Sequence, residues 1–364
     1  MQSNSMKPYE IKKIGTGNNY ESYYVPGHDP NAWQNAEAQV DAALPAPEPG
    51  SVSFPTYVDS TMLAAYKSCP RRFFWEFCRN LHPKRRNVHF TAGGAYAKGM
   101  EVARRAYYEQ HLPVEAALHL GFLALTRSYG DYIPPEKEYK TWERTAAALI
   151  SYFKEWPLDR DHIVPHVHYG RPMIEYSFAQ PIPGTTHPET GDPILLSGRT
   201  DMIVNWHDIG DKKFIYDDKT TKSFSNNWAK EWQLRGQFTG YCWSAQENNI
   251  DVVGAIIRGT AIQKTQIKHL DAVSYRHDWE IDRWLRATQR TIDRMCEDWV
   301  AYKMRLELDP FGDSPIEAFA QDFDSACTSY GGCGFAETCD HKDPEPFLEM
   351  GFEFRVWNPL AVVD

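Results

Sequence analysis

Asp217 and Lys219 stand two residues apart in Ile215-Tyr216-Asp217-Asp218-Lys219-Thr220, a run that alternates as a strand does. Residues i and i+2 of a strand point to one face. The carboxylate and the ammonium therefore share a face, with Ile215 further down it toward the core, while Tyr216 and Asp218 share the other. Upstream, Asp201 closes the run Gly198-Arg199-Thr200-Asp201. A turn over residues 207–212, which include Gly210, folds the two runs into a hairpin and sets Asp201 roughly opposite Asp217. Two carboxylates and one ammonium at one end of a hairpin suit phosphodiester hydrolysis. Mg²⁺ takes one or two carboxylates, waters and substrate phosphate in an oxygen shell. Such an ion polarises the phosphate and acidifies water, and a lysine beside it orients that water or steadies the charge of the transition state. The plain alternative is a hairpin tip with solvated charges, which is what most isolated Asp-x-Lys pairs are.

Gly198-x-x-Asp201 followed by Asp217-x-Lys219-Thr220 resembles the motifs of RecB-type PD-(D/E)XK nucleases. The resemblance implies a helical motif before the sheet, in which a glycine precedes a histidine by four residues and a glutamate by eight. Gly93-Gly-Ala-Tyr-Ala97-Lys-Gly-Met-Glu101 matches, with Glu101 at the glutamate and Ala97 at the histidine position. That histidine is a further metal ligand in some members, so its loss bears on a second metal and on Mn²⁺ preference. The resemblance also implies a Gln-x-x-x-Tyr helix after the lysine strand, and Gln237 and Tyr241 supply it. An i, i+4 pair lies on one helix face, so both side chains reach one site. The bland readings are a surface carboxylate for Glu101 and an ordinary amphipathic helix for Gln237. The four motifs occur in the family's order between about residues 60 and 340.

The chain has seven cysteines, three of them crowded as Cys327, Cys333 and Cys339. In a reducing compartment such crowding points to a metal rather than to disulfides. With Cys69 upstream, the set is similar to the iron–sulfur branch of the same superfamily, which includes the AddB nuclease domain. There, one cysteine before the nuclease motifs and three after them bind a [4Fe–4S] cluster that staples the domain's ends. That branch more often has two residues between its first two late cysteines, where this chain has five. Zinc, with His341 as a substitute ligand, and free thiols are the other readings. Cys78, Cys242 and Cys296 fall in predicted helices and read as small buried hydrophobes.

The elements that position these groups follow from periodicity. Residues 59–80 read as a helix pair, with 94–110, 114–129 and 138–156 as further helices. Residues 172–180, 194–206 and 213–220 read as strands, 228–247 as a helix, 251–262 and 266–276 as strands, and 279–306 as a long helix. This order predicts an α/β fold of the PD-(D/E)XK (restriction-endonuclease-like) kind, a mixed central sheet flanked by helices. Residues 1–55, broken by prolines, read as an irregular N-terminal extension. Residues 56–342 read as the nuclease domain closed by the cysteine segment, and 343–364 as a C-terminal tail.

Hydrophobic residues make up 42% of the chain, enough for a packed core. No apolar run approaches the ~20 residues that span a bilayer, and residues 1–20 lack a signal core, so the expected setting is intracellular, a phage-encoded protein included. A net charge of −10 argues mildly against a nucleic-acid partner, although metal-holding carboxylates add to that sum. Local basic runs are Arg71-Arg72, Lys84 to Arg86 and Arg104-Arg105; the second reads as a DNA-backbone contact or a solvated loop. The Phe73 to Phe77 aromatics read as core, His166 and His168 as structural, and Glu175 as a polar sheet edge. The expectation is a Mg²⁺- or Mn²⁺-dependent deoxyribonuclease. The resemblance implies an exonuclease in recombination, repair or phage DNA processing, with a helicase or recombinase as companion. The rival is a nucleic-acid-binding protein that keeps the fold without catalysis.

Overall fold

The predicted hairpin lies inside a seven-stranded mixed sheet in a computed structural model of the chain. The structure describes residues 50–84, 88–308, 315–323, 326–328, 332–342 and 344–359, with the backbone of 12–13 and 23–24. The expected irregular extension thus falls almost wholly outside the described residues. The first half runs β1 (Tyr57–Val58), α1 (Ser60–Ser68), α2 (Pro70–Phe73), β2 (Leu81–Pro83), α3 (Val88–Arg104), α4 (Val114–Tyr129), α5 (Trp142–Glu155), β3 (Ile163–Pro165) and β4 (Ile174–Pro181). The second runs β5 (Leu195–Trp206), β6 (Lys212–Thr221), α6 (Trp228–Glu231), α7 (Gly236–Glu247), β7 (Val252–Ile262), β8 (Ile267–Tyr275), α8 (Asp278–Leu308), α9 (Ala336–Cys339), α10 (Glu345–Gly351) and β9 (Phe352–Phe354).

The sheet order is β8-β7-β6-β5-β1, with β3 and β4 also paired to β5. Strands β5 and β6 pair antiparallel only from Lys212↔Trp206 to Tyr216↔Met202. Beyond that point they part. β6 continues parallel to β7 as far as Thr221↔Ala261, while β5 turns to β4, pairing from Ile174↔Met202 to Pro181↔Leu195. Asp217 and Asp201 are the first residues past the split.

Alternation divides the sheet between two cores. Ile215, Ile203 and Ile257 face a core built with α1, α7 and α8; Phe214, Tyr216 and Met202 face the opposite side. Fully burying a side chain such as Phe214 or Phe238 stabilises by about 1.5–3 kcal/mol. Helix α1 starts where Asp59 accepts the Met62 amide at 2.7 Å, a side-chain cap for an otherwise unpaired donor. Helices α3 and α4 cross at two glycines: a Cβ on Gly121 would lie 2.6 Å from the Gly99 carbonyl oxygen.

The mixed architecture expected from the sequence is the one observed, and three helices differ in detail, the one expected from 94 starting already at Val88. The expected helix over 228–247 is broken, because Arg235 is extended. Trp228 and Phe224 occupy the space a Cβ on Gly259 would fill, at 2.5 and 2.6 Å, so this segment bends over β7 before α7 starts afresh. The helix expected from 138 begins only at Trp142, where Thr141 caps it at 3.3 Å; Lys140 is instead drawn inward to Thr220 at 3.2 Å. Within the expected tail, β9 pairs with β2, Phe352 stacks on Phe335 at 4.6 Å, and Trp357 donates to Asp59 at 3.1 Å.

Candidate active site

Where β5 and β6 part, side chains replace the lost ladder bonds. The Asp218 amide donates to Asp201 Oδ2 at 2.7 Å, and the Thr200 hydroxyl donates to the Tyr216 carbonyl at 2.9 Å. Asp201 thus accepts from the backbone of the strand that carries Asp217 and Lys219. Asp217 is buried and ion-paired with Lys219. Burial, then the charges of Asp217, Glu175 and Asp218, push the Asp201 carboxyl well above the ordinary range. Burial also raises Asp217, against the pull of Lys219. Burial alone would lower Lys219, but Asp217 and Asp201 hold it above its usual value. A buried and a partly buried carboxylate that disfavour each other's charge fit a hard divalent cation, which would relieve both.

Glu101 approaches from α3. Its carboxylate takes Arg105 at 3.1 Å and Lys98 at 3.4 Å, and Arg105 also reaches the Ile174 carbonyl at 3.4 Å, tying α3 to β4. Ala97 lies on the exposed side of the same helix. Glu175 is a residue that sequence reasoning undervalued. It is partly buried, its side chain 14% exposed, rather than a polar edge, and it holds a positive φ of 54°, rare for a side-chain-bearing residue. It pairs with Arg199 at 2.9 Å. Burial raises it to about 7; Arg199 opposes this and Glu101 adds to it. Charge therefore links Glu101 to Glu175, Glu175 to Asp201 and Asp201 to Asp217. Among the described residues no three His, Cys, Asp or Glu side chains, those of Cys69, Cys327, Cys333 and Cys339 included, stand close enough together to enclose an ion as they lie.

Behind the site, on the other face of β6, Asp218 makes a 2.6 Å ion pair with Arg104, both almost wholly buried. Arg104 also donates to Tyr152 at 2.9 Å and Tyr216 at 3.3 Å. Tyr152 and Tyr216 bond to each other, and Arg258 continues the network to Asp161 at 2.9 Å. Motif spacing gave no sign of this network, since Arg104 and Arg258 are remote from Asp218 in sequence.

Gln237 donates to the Tyr241 hydroxyl at 3.1 Å, so the Gln-x-x-x-Tyr pair is joined along α7. Tyr241 lies over Gly198, where an added Cβ would meet its ring at 2.7 Å and Phe178 at 3.0 Å. The charges of Asp217 and Asp201 are among those that raise its phenol. Gly198→Ala should therefore displace Tyr241, costing about 1–3 kcal/mol of stability. Tyr241→Phe should lose only the bond to Gln237, about 1 kcal/mol. Chemical denaturation of both variants checks this, and equal small losses would show that the ring does not need the glycine.

The cysteine segment lies against α2. The Asp322 amide donates to Cys69 Sγ at 3.5 Å, and Cys327 Sγ donates to the Asp322 carbonyl at 3.4 Å. The Cys333 amide donates to the Cys327 carbonyl at 2.9 Å. Burial raises the Cys339 thiol to about 11, Arg71 pulls it down, and Cys333, Cys69 and Cys327 raise it further. Of the remaining thiols, Cys78 and Cys242 are buried and Cys296 is partly exposed.

Other sequence candidates find structural places. Lys84 donates to the carbonyls of Glu349 and Met350 at 2.9 and 3.0 Å, and residues 85–87 of that basic run lie outside the described residues. Arg71 pairs with Glu317 and Arg72 with Glu76, both at 2.9 Å. Phe73, Phe74, Trp75 and Phe77 are core. His166 is lowered to about 4 by burial and stands with its ring 5.9 Å from that of His168. No helix among the described residues is long and apolar enough to cross a membrane.

A family model for the PD-(D/E)XK nuclease superfamily matches residues 60–340. No curated protein gives a match. Among solved structures, the crystal structure of SSO0001 aligns over 76% of this chain and 93% of that chain, at 12% identity and a TM-score of 0.28.

Proposed function

The chain belongs to the PD-(D/E)XK nuclease superfamily, and we propose that it is a Mg²⁺- or Mn²⁺-dependent deoxyribonuclease that degrades DNA from its ends. The observation that carries this reading is the split between β5 and β6, which leaves a partly buried Asp201 beside the buried Asp217, with Lys219 ion-paired to Asp217. Asp201 and Asp217 would hold the metal, with Glu101 assisting from α3. The metal would supply Lewis acidity toward the phosphate and lower the pKa of a water. Lys219 orients the attacking water or stabilises the developing negative charge. Gln237 and Tyr241 shape the floor on which the substrate lies. The proposed setting is intracellular recombination, repair or phage DNA processing beside a helicase or recombinase.

End-labelled linear and closed circular DNA, single- and double-stranded, should be incubated with the protein and Mg²⁺, Mn²⁺ or EDTA. Metal-dependent loss of linear DNA with circles spared is the expected result. Cut circles would make it an endonuclease. Absence of any cutting by folded protein would favour the non-catalytic DNA-binding reading.

The second part of the proposal is a [4Fe–4S] cluster on Cys69, Cys327, Cys333 and Cys339, with zinc as the competing occupant. Its support is the donor set and the two bonds by which Asp322 joins Cys69 to Cys327. Anaerobically purified protein should absorb broadly in the visible and carry about four irons per chain, lost in Cys327→Ser. About one zinc per chain and no colour would decide for zinc, and neither metal would leave free thiols.

A further inference from the structure

Lys140 is 3% exposed, on the loop before α5, and its ammonium donates to the Thr220 hydroxyl at 3.2 Å. Among the described residues it has no carboxylate within ion-pair reach. A buried ammonium without a counter-ion is costly, so it either gives up its proton more readily or gains an anion. A second ammonium, Lys222, stands two residues beyond Thr220 and pairs with Glu138 at 2.9 Å. Burial, then the charge of Lys222, lowers Lys140 to about 8, and Glu138 works against them. His89, on the first turn of α3, is lowered by burial and by both lysines, so it adds no charge near neutrality. Helix α3 leaves room here, because Gly93 faces Thr220 without a side chain.

Two ammonium groups and one carboxylate leave a single positive charge. A backbone phosphodiester carries one negative charge and matches it, whereas a terminal phosphate carries nearly two. Thr220 lies three residues beyond Asp217 on β6 and so, by alternation, on the face of Asp218 rather than that of Asp217. Phe90, next to His89, exposes 81% of its surface, as an aromatic that stacks on a base would.

We propose that Lys140, Thr220 and Lys222 grip one internal phosphodiester of the DNA strand. The proposal rests on the nuclease reading for the identity of the strand, and its test does not depend on cleavage. Binding of fluorescein-labelled oligonucleotides, with the catalytic metal withheld, should be measured by anisotropy across a range of KCl concentrations. Lys222→Ala should weaken binding about 5- to 10-fold and lower the slope of log K against log salt by about 0.7 on single strands. Lys222→Arg should keep the wild-type slope, and Lys140→Met should repeat the loss. If Lys140→Met does not fold, the partly exposed Lys222 carries the test alone. The loss should be the same for 5′-phosphorylated and 5′-hydroxyl oligonucleotides.

An unchanged slope in Lys222→Ala overturns the proposal, as does a loss confined to 5′-phosphorylated ends. Normal cleavage with an unchanged slope defeats this site alone. The expected slope change in a protein that cuts nothing defeats the nuclease reading and leaves the phosphate site standing.

Discussion

Asp217→Asn is expected to lower metal-dependent cleavage of DNA by at least about 10³-fold while making the metal-free protein more stable, not less. The first effect would follow from losing one of the two carboxylates proposed to hold the metal. The second follows from its surroundings, since burial raises Asp217 and its charge in turn raises Asp201. The sign can be worked through. A carboxyl whose folded pKa lies above its unfolded value favours the fold when protonated. Its contribution is intact below the unfolded value and is lost as pH rises through the folded one. Glu175, ordinarily 4.5 and here about 7, loses its contribution across that window, and Asp201 moves in the same direction. The metal-free protein should therefore lose stability as pH rises toward neutrality. Mg²⁺ should restore it, by about 2.7 kcal/mol at a concentration 100 times its Kd. Thermal melts in EDTA and in Mg²⁺ at about pH 6 and pH 8 would read this. The Mg²⁺-induced rise should be larger at the higher pH and small in Asp217→Asn. Wild type and variant responding alike to Mg²⁺ would mean that Asp217 does not hold the ion.

Arg104→Met is expected to destabilise the protein by about 3–5 kcal/mol, the range for stranding one partner of a buried ion pair. Asp218 would keep a carboxylate deep in the fold with Tyr216 as its remaining side-chain partner, at 3.2 Å. The double variant Arg104→Met with Asp218→Asn should recover most of the loss, because no unpaired charge remains. Activity gives an independent reading. The Asp218 amide holds Asp201, so the ion pair behind the strand positions a carboxylate in front of it. A folded Arg104→Lys should keep DNA affinity and lose turnover, since a lysine cannot reach Asp218, Tyr152 and Tyr216 together. Denaturant titration of the single and double variants checks the energetics. A double variant as unstable as the single would show that Arg104 acts through packing on its tyrosines rather than through its charge.

Much of this site was legible because it is local. Asp217, Lys219 and Ile215 fall on one face by alternation. The turn over 207–212 fixes the hairpin register, so Asp201 reaches its place opposite Asp217 by counting alone. Gln237 and Tyr241 are bonded at i, i+4 as helix geometry requires. The strands and the long α8 follow from apolar period, and the mixed sheet follows from their order.

The remainder depends on chain segments that meet only in three dimensions. Glu175 looked like a polar edge because its strand carries no motif, and it becomes part of the carboxylate chain only when β4 pairs with β5. The helix expected over 228–247 broke because Gly259, on another strand, admits Trp228 and Phe224. Arg104 pairs with Asp218 from 114 positions away in the chain, and Lys140 meets Thr220 across 80. Of the basic runs, Lys84 to Arg86 read as a DNA-backbone contact or a solvated loop, and folding commits Arg71, Arg72, Lys84 and Arg104 to partners within the chain. Alternation, helical period and turn chemistry act over a few residues, so the sequence by itself determined the strand that carries Asp217 and Lys219 and its hairpin. Desolvation and charge pairing act through space, so only the tertiary structure decided which carboxylates share the site and which cations remain for a substrate.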